Sequence, residues 1–174
     1  MHLSSPMQQF VVHWGEMGAR WGVNRSIAQI HALLYLADTP LDAEEITDTL
    51  KIARSNVSNS IKELQALGLV HREQVLGDRR DRFTATHEPW DMLMAIAEAR
   101  KQREIDPTIA ILRECADAAE ADSSTPKIAA ERLRRMEAFV GNLTDWYSQV
   151  KSVPTPTLVK LMKLGARVAK FVGG

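Results

Sequence analysis

Apolar side chains recur at helical spacing over most of this chain, and the gaps between the runs divide it into elements. Phe10, Trp14, Met17 and Trp21 stand 4, 3 and 4 residues apart, which predicts a helix from about Ser5 to Arg20 with those four side chains on its buried stripe. Gly15, Gly18 and Gly22 each lower intrinsic helix stability by up to about 1 kcal/mol, so they predict close packing or a break near Gly22. A second helix is expected from Asn24, as N-cap, to Ala37, with Ile27, Ile30, Leu33, Leu34 and Ala37 inward and Asp38-Thr39-Pro40 as its stop.

Leu41-Asp42-Ala43-Glu44-Glu45 sets an N-cap carboxylate three residues before another, the reciprocal arrangement that satisfies the free amides of a first turn. A short helix to Leu50 follows, with Ile46 and Leu50 inward. Val57, Ile61, Leu64 and Leu67 then repeat at 4, 3 and 3, and Gly68 is placed to end that helix in a left-handed conformation. Leu69 to Leu76 and Arg82 to Thr86 read as strands around a polar, glycine-containing turn, a β-hairpin with a basic tip. A long helical stretch from about Trp90 to Ala121 should break or kink at Asp106-Pro107. After a linker at Asp122-Ser123-Ser124-Thr125-Pro126, one helix covers roughly Lys127 to Lys151, and Pro154 and Pro156 start a last one reaching about Val172.

This order predicts a mainly α protein: a winged helix-turn-helix, with a three-helix core and a β-hairpin wing, carrying long flanking helices. In such a fold the second short helix fits a major groove about 12 Å wide while the hairpin reaches the neighbouring backbone or minor groove. With the apolar positions inward, Arg54, Ser55, Asn56, Ser58, Asn59 and Lys62 project near the start of the recognition helix. Arg can bond guanine bidentately and Asn adenine, whereas Ser and Lys more often hold phosphates. Arg54-Ser55-Asn56 taken alone could be no more than a polar helix start. Arg79, Arg80 and Arg82 at the hairpin serve no core and repel one another, which a polyanion explains better than a solvated turn partly neutralised by Asp78 and Asp81.

Charge changes this picture only locally. The chain has 22 basic and 22 acidic side chains. Between Lys51 and Arg82, however, seven basic residues face four acidic ones, and the acidic charge lies just upstream in Asp42, Glu44, Glu45 and Asp48. A hydrophobic fraction of 45% is globular composition rather than that of a disordered or fibrous chain. One cysteine, no leader-like N-terminus and no long uninterrupted apolar run lead to the expectation of a cytoplasmic protein without a transmembrane span.

Ser55-Asn56-Val57-Ser58, Lys62-Glu63-Leu64 and Leu67-Gly68-Leu69-Val70 together resemble a MarR-type winged helix-turn-helix. Gly77-Asp78-Arg79-Arg80-Asp81, Pro89-Trp90-Asp91-Met92 and Arg103-Glu104-Ile105-Asp106-Pro107 resemble the GbsR branch of that superfamily. The resemblance implies a transcriptional regulator, of the repressor type, acting as a homodimer on a pseudo-palindromic operator. Its expected partners are double-stranded DNA, a second copy of itself and a small-molecule effector. The implied organisation is an N-terminal helix contributing to dimerisation (1–23), the DNA-binding domain (24–88) and a helical dimerisation and effector region (89–174). One departure is Ala53, where such proteins often carry Ser at the start of the recognition helix; capping would then fall to Ser55 or another group. The competing reading is a protein-interaction module that keeps the fold without contacting DNA, for which the zero net charge and the acidic helix at Asp42 to Asp48 speak.

Weaker signals add little. Trp14, Trp21, Tyr35, Trp90, Trp146 and Tyr147 could supply an aromatic cage for a quaternary ammonium, but aromatic residues on helical stripes are more often core. Cys115 reads as a buried structural thiol without a resolving partner. His2, His13, His31, His71 and His87 are scattered, so no metal site is expected, and no phosphate loop, nucleophile elbow or cofactor motif points to an enzyme. The last helix pairs a basic stripe (Lys160, Lys163, Arg167, Lys170) with an apolar one (Leu158, Leu161, Met162, Leu164, Val168, Phe171). That pattern suits a membrane-surface helix and, better, an arm packed on a partner subunit.

Overall fold

The computed structural model describes residues 1–74, 76–77 and 79–165. It forms two compact units, Met1–Ile96 and Ala97–Gly174. The first holds α1 (Ser5–Arg20), α2 (Arg25–Leu36), β1 (Leu41–Asp42), α3 (Ala43–Leu50), α4 (Arg54–Ala66), β2 (Val70–Glu73), β3 (Arg82–Ala85) and the start of α5 (Pro89–Arg100). The second holds the end of α5, then α6 (Asp106–Ala121), α7 (Lys127–Lys151) and α8 (Thr155–Leu164). The mostly helical architecture with a small antiparallel sheet is that of a winged helix-turn-helix.

The core of the first unit is built around α2. Asn24 caps this helix by accepting the Ser26 amide at 2.8 Å. Ile30, Leu33 and Leu34 are fully buried, and they pack with Ile46 of α3, Val57 and Leu64 of α4 and Val70 of β2. α2 is enclosed on more sides than its sequence pattern suggests, because Ala28, His31 and Ala32 are buried as well. Burial of the inward set in α3 and α4 follows the predicted periodicity, and Gly68, at φ +70, ends α4 in the left-handed region where a Cβ would be strained.

The buried face of α1 differs from the expectation. Val11, Gly15 and Gly18 face inward, Phe10, Trp14 and Met17 are half-buried, and Trp21 is exposed. The glycines themselves make the contact: a Cβ on Gly18 would lie 2.6 Å from the Ala28 Cβ, so α1 approaches α2 more closely than any side-chain-bearing helix could. The large aromatics are thereby rotated to the edge of the interface, where Phe10 stacks on Trp14 with ring centroids 5.3 Å apart.

The sheet has the order β1-β3-β2 and is antiparallel throughout. Two of its strands are the expected hairpin. The third, β1, pairs Leu41 with Phe83 and Asp42 with Arg82, so the residue before α3 is at once a strand residue and a helix cap. Pro107 does not break the long helix. The chain widens into a π turn at Lys101–Ile105, in which the Asp106 amide bonds the Lys101 carbonyl, and this accommodates a residue that can neither donate a hydrogen bond nor tolerate the carbonyl of a normal turn. In the second unit Arg134 of α7 grips Asp117 and Glu120 of α6 at 2.6 and 2.9 Å, and Cys115, expected to be buried, is exposed. α8 ends before Gly165, at φ +49. The expected continuation to Val172, with Arg167, Val168, Lys170 and Phe171, lies outside the described residues.

His31 sits among these packed helices at 4% exposure, 6.4 Å from the Trp14 ring, and its Nε2 has no hydrogen-bond partner among the described residues. Burial lowers its pKa from 6.5 to about 4, so the imidazole is neutral in the fold. The unfolded chain binds a proton below pH 6.5 that the folded chain refuses until about pH 4. Stability is therefore fully present above pH 6.5, falls by about 3 kcal/mol as pH drops to 4, and is flat below. Denaturant unfolding of the wild type and His31→Leu across this range should show the slope in the first and its reduction in the second; equal slopes would place the titration elsewhere.

Candidate nucleic-acid interface

The helix-turn-helix proper is α3, a three-residue connection and α4. Asp42 accepts the amides of Glu44 and Glu45, both at 2.9 Å, and Glu45 Oε2 accepts the Asp42 amide at 2.8 Å, so the reciprocal cap foreseen from the sequence is complete. α3 stops at Lys51, which takes a left-handed conformation at φ 56 and turns the chain sharply into α4. A non-glycine residue there costs about 1 kcal/mol, a strain held by the packing of Ile46 and Val57 on either side.

α4 begins at Arg54 behind Ala53, and among the described residues no side chain, Ser55 included, caps it. Its free first-turn amides and the positive end of its dipole are thus left for solvent or an anion. Arg54, Ser55, Ser58, Asn59 and Lys62 are exposed along one side of the helix. Asn56 is not among them. It is half-buried, donates through Nδ2 to Ser26 Oγ at 2.9 Å and accepts from Ser60 Oγ at 3.4 Å, tying α4 to the start of α2. A helical-wheel argument could not have found this bond, because the acceptor lies 30 residues away.

The wing arginines divide in the same manner. Arg82, only 22% exposed, donates to the Pro40 carbonyl at 3.0 Å and to Glu45 at 3.3 Å. Arg80 donates to Asp42 Oδ2 at 2.7 Å, and Arg72 pairs with Asp81 at 2.7 Å across the hairpin. Arg79 is exposed and has no ion pair among the described residues. The reasoning that three arginines at a hairpin tip serve no packing role therefore holds for Arg79 and not for Arg82. The acidic start of α3 that seemed to oppose a nucleic-acid reading is the counter-charge that anchors the wing. Among the described residues no group of three or more His, Cys, Asp or Glu could hold a metal ion, and no helix is long and apolar enough to cross a membrane.

An exposed polar helix face beside an anchored basic hairpin, on a three-helix core, defines a winged helix-turn-helix. Residues 21–81 match the family model of the MarR family. Among solved structures the chain is similar to a transcriptional regulator at 22% identity, covering 83% of this chain and 95% of that one with a TM-score of 0.57, which shows the shared fold. It is also similar to a variant of the Staphylococcus aureus regulator MepR bound to an oligodeoxyribonucleotide (18% identity, 83% and 90% covered, TM-score 0.39). A third similar structure is the Thermotoga maritima transcriptional regulator Tm0710 (19% identity, 82% and 92% covered, TM-score 0.39). No curated protein gives a significant match. The fold shared with the first of these structures is a winged helix.

The division of the wing can be measured. Arg79→Ala should leave the urea midpoint nearly unchanged, as exposed substitutions do. Arg82→Ala removes hydrogen bonds to a half-buried carboxylate and a carbonyl and should cost about 1–3 kcal/mol. Equal stability of the two variants would contradict the anchoring role.

Proposed function

We propose that this chain is a sequence-specific DNA-binding transcriptional regulator of the GbsR branch of the MarR superfamily, acting in the cytoplasm as a homodimeric repressor on a pseudo-palindromic operator. The observation that carries the reading is the exposed row Arg54, Ser55, Ser58, Asn59 and Lys62 on α4, without a side-chain hydrogen bond or ion pair among the described residues, on a winged-helix fold with an anchored basic wing. In this reading Arg54 and Asn59 read base edges, Ser55, Ser58 and Lys62 hold phosphates, and Arg79 reaches the neighbouring groove. Asn56, Arg80 and Arg82 position the elements that make those contacts. Residues 24–88 do the reading, and helices from both chain ends hold two copies together.

Selection from random double-stranded DNA with the purified protein should enrich an inverted repeat whose half-sites lie about 10 bp apart. On that sequence Arg79→Ala should weaken binding and lower the salt slope by about 1 per half-site for each phosphate the wing no longer neutralises. Failure to enrich any repeat at low salt would favour the interaction module that keeps the fold without binding DNA.

The regulator reading extends to an effector. A cavity of about 180 Å³ opens beside His31, walled by Phe10, Trp14, Ala32, Tyr35, Pro89 and Met92. Its lining is almost wholly apolar, which suits a small flat apolar molecule. Of the six aromatics considered for a cage, Trp14 and Tyr35 line this cavity and Trp21 is exposed. Indole, as a probe, should raise the melting temperature of the wild type but not of Ala32→Leu, which fills the cavity; equal responses would remove the site.

A further inference from the structure

The apolar pattern predicts strand as far as Leu76, but β2 ends at Glu73, where it pairs with Arg82 at the start of β3. Leu76 therefore stands beyond the paired stem of the hairpin, at 103% exposure. Gly77 follows it at φ +88, a left-handed turn position that a side chain would strain. The stem below is held by three ion pairs, Arg72 to Asp81 and Arg80 to Asp42 at 2.7 Å and Arg82 to Glu45 at 3.3 Å. Arg79, three residues beyond the leucine, is exposed and has no ion pair among the described residues. Single exposed apolar residues are ordinary. A leucine standing clear of the surface on an anchored hairpin, with such an arginine nearby, is a different case: what buries both is a ligand with an anionic rim and a narrow apolar slot.

The minor groove of DNA has both properties, since phosphates line its edges and a leucine can enter between two stacked base pairs from that side. A protein partner is the poorer match, because one leucine beside one arginine falls far short of the roughly 800 Å² that each side of a stable protein interface buries. We propose that Leu76 is an apolar wedge that the wing inserts into the minor groove flanking the half-site, partly unstacking one base step while Arg79 holds the phosphate rim. This rests on the DNA reading of the proposed function and adds a source of specificity to it. Pyrimidine–purine steps (TA, CA/TG) unstack most easily, so the wedge selects such a step outside the bases that α4 reads, and it does so without a hydrogen bond to any base.

The inverted repeat enriched by the wild type should carry a TA or CA/TG step in both outer flanks, and 2-aminopurine placed at that step should brighten when the protein binds. Leu76→Ser should keep the urea midpoint and select the same repeat, but lose the flank preference and the brightening. Its affinity for the wild-type repeat should fall about tenfold, with the salt slope unchanged because no charge is removed. Leu76→Phe keeps a wedge and should retain all three properties, whereas Arg79→Ala lowers the salt slope. Equal affinity, flank preference and brightening in the wild type and Leu76→Ser would overturn the wedge and leave the DNA reading standing. So would a Leu76→Ser variant altered in sedimentation alone, which would give the side chain to a protein contact. A wild type that enriches no repeat defeats the DNA reading, and the wedge with it.

Discussion

The Asp42 carboxylate is 4% exposed and serves three elements at once. One oxygen takes two free first-turn amides of α3, those of Glu44 and Glu45, the other takes Arg80 from the wing, and the residue's backbone pairs with Arg82 as the last link of β1. A buried carboxylate without partners would be costly, so each of these groups is constrained by the need to satisfy it. The entry of the helix-turn-helix and the base of the wing are in consequence one structural joint. Glu45 extends it by capping back to Asp42 while accepting from Arg82.

This joint redistributes the charge available to a polyanion. Of the seven basic residues between Lys51 and Arg82, Arg72, Arg80 and Arg82 are committed to carboxylates of their own chain. Lys51, Arg54, Lys62 and Arg79 are exposed without an ion pair among the described residues. A chain with no net charge that presents four such cations per copy gains little from long-range steering. Under the proposed function its affinity depends on two copies held at a fixed separation, which gives the helices of the second unit a direct part in binding.

Much of the architecture could be read from the residues because it follows from short-range rules. The Asn24 cap, the Asp42–Glu45 reciprocal cap, the left-handed Gly68 and the period of Val57, Ile61 and Leu64 all depend on neighbours within a turn or two, and all appear in the structure. What escaped is long-range. β1 is too short to have a period of its own and exists because β3 lies beside it. The face of α1 was misread because hydrophobicity favours burying Trp14 and Trp21, whereas close approach to α2 favours burying Gly15 and Gly18, and the close approach prevailed. His31 looked like one of five scattered histidines and turned out to be buried in the core.

Most of the helical segments and their caps, and the succession of a polar helix face and a basic hairpin in the order of a winged helix-turn-helix, are legible in the residues alone. Those properties arise from hydrogen bonds and side-chain contacts between residues close in the chain. Only the tertiary structure decided which of the candidate side chains remain outward. Asn56 finds Ser26, Arg80 finds Asp42 and Arg82 finds Glu45, each partner at least 30 residues away. Residue type tells what a group can bond; only the packing of distant segments tells whether that bond has already been made.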